Sequence, residues 1–157
     1  MIAGGGKYLS WAWVNATWTR HRGVQLPIQV WFLGEAEMPR RVRKHFTDLD
    51  VELIDAHQVR EHHWHRKLKG WSLKQYAAMR CPFQTVLSLD ADAFITGSPS
   101  TVLGDPRFVA TGAFFCADVA ACRKSNWAYF YAQLPTPAQE MESGYFAWDR
   151  HKAWEGI

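Results

Sequence analysis

The sequence has few cysteines, no long apolar run and no strong excess of one charge. Its three cysteines, Cys81, Cys116 and Cys122, are too few and too scattered for a disulfide framework or a zinc knuckle. No apolar run approaches the roughly 18–20 residues that a membrane-spanning helix needs. Residues 1–7 show no basic leader followed by an apolar stretch, so no secretory signal is expected. These absences argue against a membrane-spanning protein and against a small disulfide-stapled domain.

The composition is that of a chain that can build a hydrophobic core. Of its 157 residues, 48% are hydrophobic and 21% are charged, which predicts a single domain over residues 1–157. Residues 1–80 carry 13 Lys and Arg against 7 Asp and Glu, whereas residues 81–157 carry 5 against 8. A positive half raises the local concentration of anions such as phosphates and nucleotides. No nucleic-acid-binding module is recognisable, so nucleic acid is not an expected partner.

Apolar periodicity and breaker residues predict alternating helices and strands. Helices are expected over 8–22, after Pro39, from a Ser72 cap to the residue before Cys81, over 122–133 and from Asp149 onward. Strands are expected over 27–34, 51–55, 85–89, 108–115 and 145–148, and the polar stretch 57–70 is expected to be a loop. The alternation predicts an α/β fold with a largely parallel sheet.

Two carboxylates follow the most apolar of these strands. Asp90 and Asp92 come directly after residues 85–89, and ligands of an open parallel sheet bind beyond the carboxyl ends of its strands. In extended backbone, residues two apart point to the same side, and two neighbouring carboxylates favour a neutralising cation. Mg²⁺ and Mn²⁺ prefer oxygen ligands and complete their shells with substrate phosphates. The pair therefore predicts a metal-bridged diphosphate site, with a solvated turn of two acids as the alternative.

Several short motifs, in order along the chain, resemble those of one family. They are Gly4-Gly5-Gly6-Lys7-Tyr8-Leu9, Gly70-Trp71-Ser72-Leu73-Lys74-Gln75-Tyr76, Cys81-Pro82-Phe83, Val86-Leu87-Ser88-Leu89-Asp90-Ala91-Asp92, Thr111-Gly112-Ala113 and Glu142-Ser143-Gly144. Together they resemble the nucleotide-sugar glycosyltransferases of the GT-A fold, in particular an alpha-mannosyltransferase group and, more distantly, the glycogenin-like family. The resemblance implies a Rossmann-like α/β sheet with flanking helices. It also implies metal-dependent transfer of a sugar, for which the group suggests mannose, from a GDP- or UDP-sugar to a glycan or other hydroxyl acceptor.

The resemblance assigns roles to three charged residues. Asp90 and Asp92 match the family's Asp-x-Asp motif, with Asp92 the expected direct ligand of Mn²⁺ or Mg²⁺ and Asp90 near the donor sugar or ribose. Lys74 matches a lysine that faces the donor. A cation beside a departing diphosphate stabilises developing negative charge. The alternative for Lys74 is an exposed lysine on a helix.

The resemblance also points to a glycine run and to one further acid. Gly4, Gly5 and Gly6 match the loop that the nucleotide approaches closely, with a flexible terminus as the alternative. Glu142 matches the acid of a Glu-Ser-Gly motif expected near the donor sugar, with an acid in a turn before a strand as the alternative. The family usually has Gln at the next position, where this chain has Tyr145.

Family members continue beyond Glu-Ser-Gly into a part that binds the acceptor and often supplies a histidine metal ligand. Residues 1–157 are therefore expected to be the donor-binding portion of a glycosyltransferase domain, truncated on the C-terminal side. A bacterial protein of this kind would be cytoplasmic, or peripheral to the membrane, and a fragment of a eukaryotic enzyme would come from the Golgi lumen. The alternatives are a non-catalytic nucleotide-sugar or carbohydrate-binding remnant and a haloacid dehalogenase-like phosphatase. Phe94 counts against the phosphatase, whose motif wants Thr or Val there.

Apart from Trp71, the other polar and aromatic features are predicted to be structural. His62-His63-Trp64-His65 lacks the i, i+4 spacing that puts two metal ligands on one helix face, so a polar loop is expected. Trp13 and Trp31 are expected in the core, and Trp71 is the best aromatic candidate for the site. Asn15-Ala16-Thr17 is a glycosylation sequon by pattern, but its helical setting argues against use.

Overall fold

The protein's structure, a computed structural model, describes residues 1–59, 68–121 and 137–154 together with residues 133 and 135. Within these residues the strands are β1 (Ile2–Ala3), β2 (Ile28–Phe32), β3 (Val51–Asp55), β4 (Thr85–Asp90), β5 (Ala113–Ala121) and β6 (Gln139–Asp149). The helices are α1 (Leu9–His21), α2 (Arg40–Thr47), α3 (Ala56–Val59), α4 (Trp71–Arg80), α5 (Pro99–Leu103), α6 (Pro106–Thr111) and α7 (Arg150–Trp154). None of these helices is long and apolar enough to cross a membrane.

The six strands form one sheet in the order β3-β2-β1-β4-β6-β5. The first four run parallel to one another, and β6 pairs antiparallel with both β4 and β5. The predicted α/β class is therefore confirmed, while the sheet is mixed rather than largely parallel. The carboxyl ends of β1, β2 and β4 meet at one edge, which is where an open sheet of this kind binds ligands.

Helices cover both faces of the sheet and create two apolar layers. On one face, α4 packs Leu73, Tyr76 and Ala77 against buried residues of the strands that include Trp31 and Val86. On the other face, α1 and α2 cover a second layer, whose buried members include Ile2, Ala12, Ala16, Val30, Phe32, Phe46 and Leu89. Burial of a sheet on both faces explains why its central strands read as continuous apolar runs.

The predicted strand over 108–115 is wrong in its first half. Residues Pro106–Thr111 form α6, and the strand begins only at Ala113. The Asp105 side chain caps this helix by accepting from the backbone N–H of Arg107, Pro106 occupies the first turn, and Gly112 ends it in the left-handed conformation. These local helix signals outweigh the apolar Phe108 that suggested a strand.

Other expectations need smaller corrections. Ser72 does not cap α4, because the helix begins at Trp71 and the Ser72 hydroxyl instead accepts from the backbone N–H of Lys69 at 3.0 Å.

Trp31 is in the core at 1% exposed, but Trp13 is 43% exposed. The predicted loop over 57–70 begins inside α3, and residues 60–67 lie outside the described part of the chain. The helix predicted over 122–133 also lies outside it, except for residue 133.

Candidate active site

A cavity of about 440 Å³ opens at the carboxyl edge of the parallel strands. Its walls come from the ends of β1 and β4, the segment after β2 and the first turns of α4. Five of the residues expected at the site line this cavity together: Gly4, Gly5, Lys74, Asp90 and Asp92. A concave site with a few convergent polar groups at this edge of an α/β sheet is the usual place for a ligand.

Lys74 and Asp90 form an ion pair inside the cavity. Lys74 lies in α4 and is only 7% exposed, and its ammonium nitrogen pairs with Oδ1 of Asp90, the last residue of β4. The Asp90 side chain keeps 36% of its surface exposed. Because an ammonium group removed from water requires an anionic partner, Asp90 explains how a lysine is tolerated here. The alternative of an exposed helix lysine is wrong, and a cation is held where an anion entering the cavity would meet it.

Asp92 lines the same cavity, but through a turn rather than through the predicted extended backbone. β4 ends at Asp90, and the backbone N–H of Ala93 donates to the carbonyl of Asp90 at 3.0 Å, closing a turn over residues 90–93. Strand alternation therefore does not determine the position of Asp92. Its side chain is exposed and lies at the cavity with Asp90. Both carboxylates thus remain available to one ligand.

The loop after β1 is packed tightly against its neighbours. The backbone N–H of Gly6 donates to the carbonyl of Glu37 at 2.9 Å. A Cβ atom on Gly4 would lie 2.6 Å from Cβ of Ala12, and one on Gly5 would lie 2.8 Å from Cβ of Glu37. Such distances leave no room for a side chain, so glycine is required by packing as well as for a backbone wall in the cavity. The alternative of a flexible terminus is therefore wrong for this segment.

Glu142 lies inside β6, so the alternative of an acid in a turn before a strand is wrong. The register pairs Leu89 with Tyr145 in antiparallel β6. The backbone of Glu142 therefore lies beyond the carboxyl end of β4, at the sheet edge where the cavity opens. Tyr145, in the position where the family usually has Gln, packs edge-on against Phe114 with ring centroids 5.9 Å apart.

The oxygen ligands at the cavity suit a divalent cation that is shared with a phosphate-bearing ligand. Asp90 and Asp92 offer carboxylates, and Mg²⁺ is commonly bound through one or two carboxylates with water and substrate phosphates completing its shell. Within the described ranges, no three His, Cys, Asp or Glu side chains form a group that could hold a metal ion unaided. The histidine run over 62–65 lies outside these ranges.

Two residues near the cavity were missed by sequence reasoning. Glu37 lines it, and its Oε2 accepts from the backbone N–H of Leu33 at 2.8 Å. Asn15 is fully buried in α1 and donates to the turn that carries Asp92. A signal for Asn15 was present, because a polar residue lies between Ala12 and Ala16 on the apolar face of a helix, and buried polar residues are informative.

The sheet, its flanking helices and this cavity define a protein with the GT-A fold of nucleotide-sugar glycosyltransferases. The fold is shared with the crystal structure of the galactosyltransferase LgtC in complex with donor and acceptor sugar analogs, with a TM-score of 0.61 at 15% sequence identity. The alignment covers 99% of this chain and 59% of the LgtC chain. This chain therefore spans less than two thirds of the length of that enzyme.

The family itself follows from the sequence comparison. A family model described as "Mannosyltransferase putative" matches residues 1–155, nearly the whole chain. The chain therefore belongs to this mannosyltransferase family. A search of curated proteins finds no match to the chain. Neither the fold nor the family supports the phosphatase alternative.

Proposed function

We propose that the cavity binds the donor of a glycosyl transfer, a GDP- or UDP-sugar, together with Mn²⁺ or Mg²⁺. The sugar then passes to a glycan or other hydroxyl acceptor. One observation carries the proposal: the Lys74–Asp90 ion pair and Asp92 lie in one cavity at the carboxyl edge of the sheet. Membership of the mannosyltransferase family supports this reaction class and makes mannose the first sugar to test.

The residues of the cavity would divide the work of binding a diphosphate. Lys74 presents a fixed positive charge, which stabilises the negative charge that grows on the diphosphate as the sugar departs. Asp90 keeps Lys74 in place, and Asp92 with Asp90 would hold the divalent cation. When bound, that cation supplies further positive charge to the leaving diphosphate. Gly4 and Gly5 form a wall without side chains, which a nucleotide can approach closely.

A second candidate is donor binding without transfer by these residues alone. One observation favours it: the chain spans 59% of the LgtC chain to which it is similar. An acceptor site built by residues beyond this span would leave donor binding intact and transfer absent. The two candidates share the donor site and differ only in turnover.

Calorimetric titration of GDP, UDP and their sugars, with and without Mn²⁺, tests the donor site. We expect Mn²⁺ to strengthen binding of these ligands to the wild type. Asp92→Asn should weaken the binding measured with Mn²⁺ by about tenfold or more, which is ~1.4 kcal/mol. Asp48→Asn is a matched control, because Asp48 is an exposed acid at the end of α2 that pairs with Lys44. Binding that responds neither to Mn²⁺ nor to Asp92→Asn would contradict the proposal.

Turnover separates the two candidates once binding is established. Release of GDP or UDP from the bound donor, measured with a panel of hydroxyl acceptors and with water alone, reports transfer and hydrolysis. Release that requires an acceptor, is lost in Asp92→Asn and is kept in Asp48→Asn supports the transferase. Tight, metal-dependent binding without release in any of these reactions supports the binding module.

A further inference from the structure

The side chain of Asn15 joins α1 to the turn that carries Asp92. Asn15 is 0% exposed. Its Nδ2 atom lies 3.1 Å from the carbonyl oxygen of Asp90, 3.3 Å from that of Ala91 and 2.8 Å from that of Ala93. An amide group has two hydrogens, so they are shared among three acceptors, with the shortest contact at Ala93. One side chain from another element thus holds three carbonyls of the 90–93 turn.

The chemistry of the surroundings fixes the orientation of this amide. Three carbonyl oxygens face one end of it, and only an N–H group can satisfy them. At the other end, the Thr19 hydroxyl donates to Oδ1 of Asn15 at 3.3 Å. A buried amide would be costly without such partners, and here both of its ends are satisfied. The burial also explains why the Asn15-Ala16-Thr17 sequon offers no accessible nitrogen for a glycan.

Neighbouring contacts extend this link along the segment that follows Asp92. The indole Nε1 of Trp18 donates to the carbonyl of Ile95 at 2.6 Å, and the Arg22 guanidinium donates to the carbonyl of Thr96 at 3.1 Å. Both of these donors are exposed, whereas Asn15 is buried beside the fully buried Ala16. The segment over 90–96 therefore runs alongside α1. Among these contacts, that of Asn15 is nearest to the two carboxylates.

We propose that Asn15 is a positioning residue of the candidate donor site. By holding the backbone of the 90–93 turn, it keeps the carboxylate of Asp92 at the cavity beside the Lys74–Asp90 pair. It thereby sets the affinity for a divalent cation with a nucleoside diphosphate, without touching either. The choice of ligand rests on the proposed function, whereas the contact between Asn15 and the turn does not.

The test uses Asn15→Asp and Asn15→Ala in the full chain. Asn15→Asp keeps the shape but replaces the N–H donors by a carboxylate oxygen facing three carbonyls, and Asn15→Ala removes the contact. We expect Mn²⁺-dependent binding of GDP and UDP to weaken about tenfold, equivalent to ~1.4 kcal/mol. Metal-free nucleotide binding should change by less than about twofold, since the glycine loop and Lys74 remain in place. Amide hydrogen exchange over residues 91–97, without ligand, should become faster.

Two controls separate positioning from general loss of stability. Thr17→Val removes a hydroxyl on the same helix that donates to the Trp13 carbonyl and not to the turn. Phe46 belongs to the buried layer that contains Ala16 and does not line the cavity, so Phe46→Leu lowers the stability of the fold without changing a cavity residue. If a Phe46→Leu variant of equal melting temperature loses as much metal-dependent binding as the Asn15 variants, the proposal is overturned.

The other possible results of these experiments also support or overturn the proposed role of Asn15. Folded Asn15 variants with wild-type metal-dependent binding overturn the proposal even if the donor site is real. If the wild type binds no nucleotide with Mn²⁺, the proposed function is contradicted, and the exchange rates alone decide on the contact. Unchanged rates over residues 91–97 in the Asn15 variants would then overturn it, and faster rates would support it.

Discussion

The ammonium group of Lys74 pairs with the carboxylate of Asp90 across the cavity, joining α4 to the end of β4. The two side chains differ in exposure, which is 8% for Lys74 and 36% for Asp90. The charges of Lys74 and Asp90 balance each other. Of the three charged residues Lys74, Asp90 and Asp92, it is therefore Asp92 that leaves a net negative charge at the cavity. Removal of Lys74 takes from Asp90 the cation that this ion pair supplies.

Lys74→Met is expected to weaken both folding and donor binding. It leaves Asp90 without this cation, and the partial exposure of Asp90 limits the loss of stability to about 1–2 kcal/mol, below that of a fully buried pair. Affinity for GDP- and UDP-sugars should fall by about tenfold or more, because the fixed cation beside the diphosphate is gone. Urea denaturation and calorimetric titration measure the two effects.

The double variant Lys74→Met with Asp90→Asn provides the control for this prediction. It removes both charges, so stability should recover toward the wild type while donor binding stays weak. Lys74→Met with wild-type affinity for a metal-bound nucleotide sugar would show that the lysine only balances the charge of Asp90.

Gly4→Ala is expected to destabilise the protein because the loop after β1 has no space for a methyl group. The added Cβ would lie 2.6 Å from Cβ of Ala12, and overpacking of this kind costs about 1–3 kcal/mol. Gly97→Ala is the matched control, since a Cβ there meets nothing within 4 Å. Chemical denaturation of both variants gives the comparison.

Ala12→Gly tests whether the clash with Ala12 is the cause. That change costs about 1 kcal/mol as a glycine within a helix, but it creates the missing space. The double variant should therefore be more stable than the sum of the two single losses predicts. Strict additivity would place the effect of Gly4→Ala elsewhere in the loop.

The elements that the sequence predicted well are those whose signals are local. β2 lies between the breakers Pro27 and Gly34, and β4 is an apolar run that leads directly into Asp90. The strand predicted in place of α6 failed because apolar Phe108 received more weight than the cap and breaker residues around it. A local pattern was enough to predict an element where the signals in its segment agreed, as in β2 and β4, and not where they competed, as in α6.

The parts of the site that the sequence could not settle depend on contacts between distant segments. Whether Lys74 is exposed or buried depends on α4 packing over β1 and β2, which brings its ammonium to Asp90. The role of Asn15 depends on carbonyls 75 to 78 residues away along the chain. Asp90 and Asp92 both line the cavity, but the turn closed at Ala93 brings Asp92 there rather than strand alternation.

The cap of α6 predicts a measurable dependence of stability on acid. Hydrogen bonds from the side chain and backbone of Arg107 hold the pKa of Asp105 at about 2, below its ordinary value of 3.8. Because the pKa is lower in the folded state, the ionised carboxylate stabilises the fold above pH 3.8, and this contribution is lost as the pH falls through about 2. NMR titration of the Asp105 carboxyl carbon measures the pKa directly.

Arg107→Ala should raise the pKa of Asp105 toward 3.8, since the largest cause of its depression is removed. Asp105→Asn keeps a capping oxygen but cannot titrate, so its stability should lose this acid dependence between pH 4 and 2. An Asp105 pKa near 3.8 in the wild type would mean that the contact with Arg107 does not persist in solution.

Glu142→Gln is expected to separate donor binding from transfer. The register of β6 against β4 places the backbone of Glu142 past the carboxyl end of β4, at the edge of the sheet where the cavity opens. We propose that Glu142 acts on the reacting bond of the donor sugar rather than on the diphosphate, so affinity for the metal-bound donor should change by less than about twofold. The rate of transfer should fall on the order of 10²-fold, as for the loss of a positioned acid or base.

Glu140→Gln is the matched control, because Glu140 lies in the same strand, two residues farther from the end of β4. A transfer rate that survives Glu142→Gln, or that falls equally in both variants, would remove Glu142 from the reaction and leave donor activation to Lys74 and the metal-binding carboxylates.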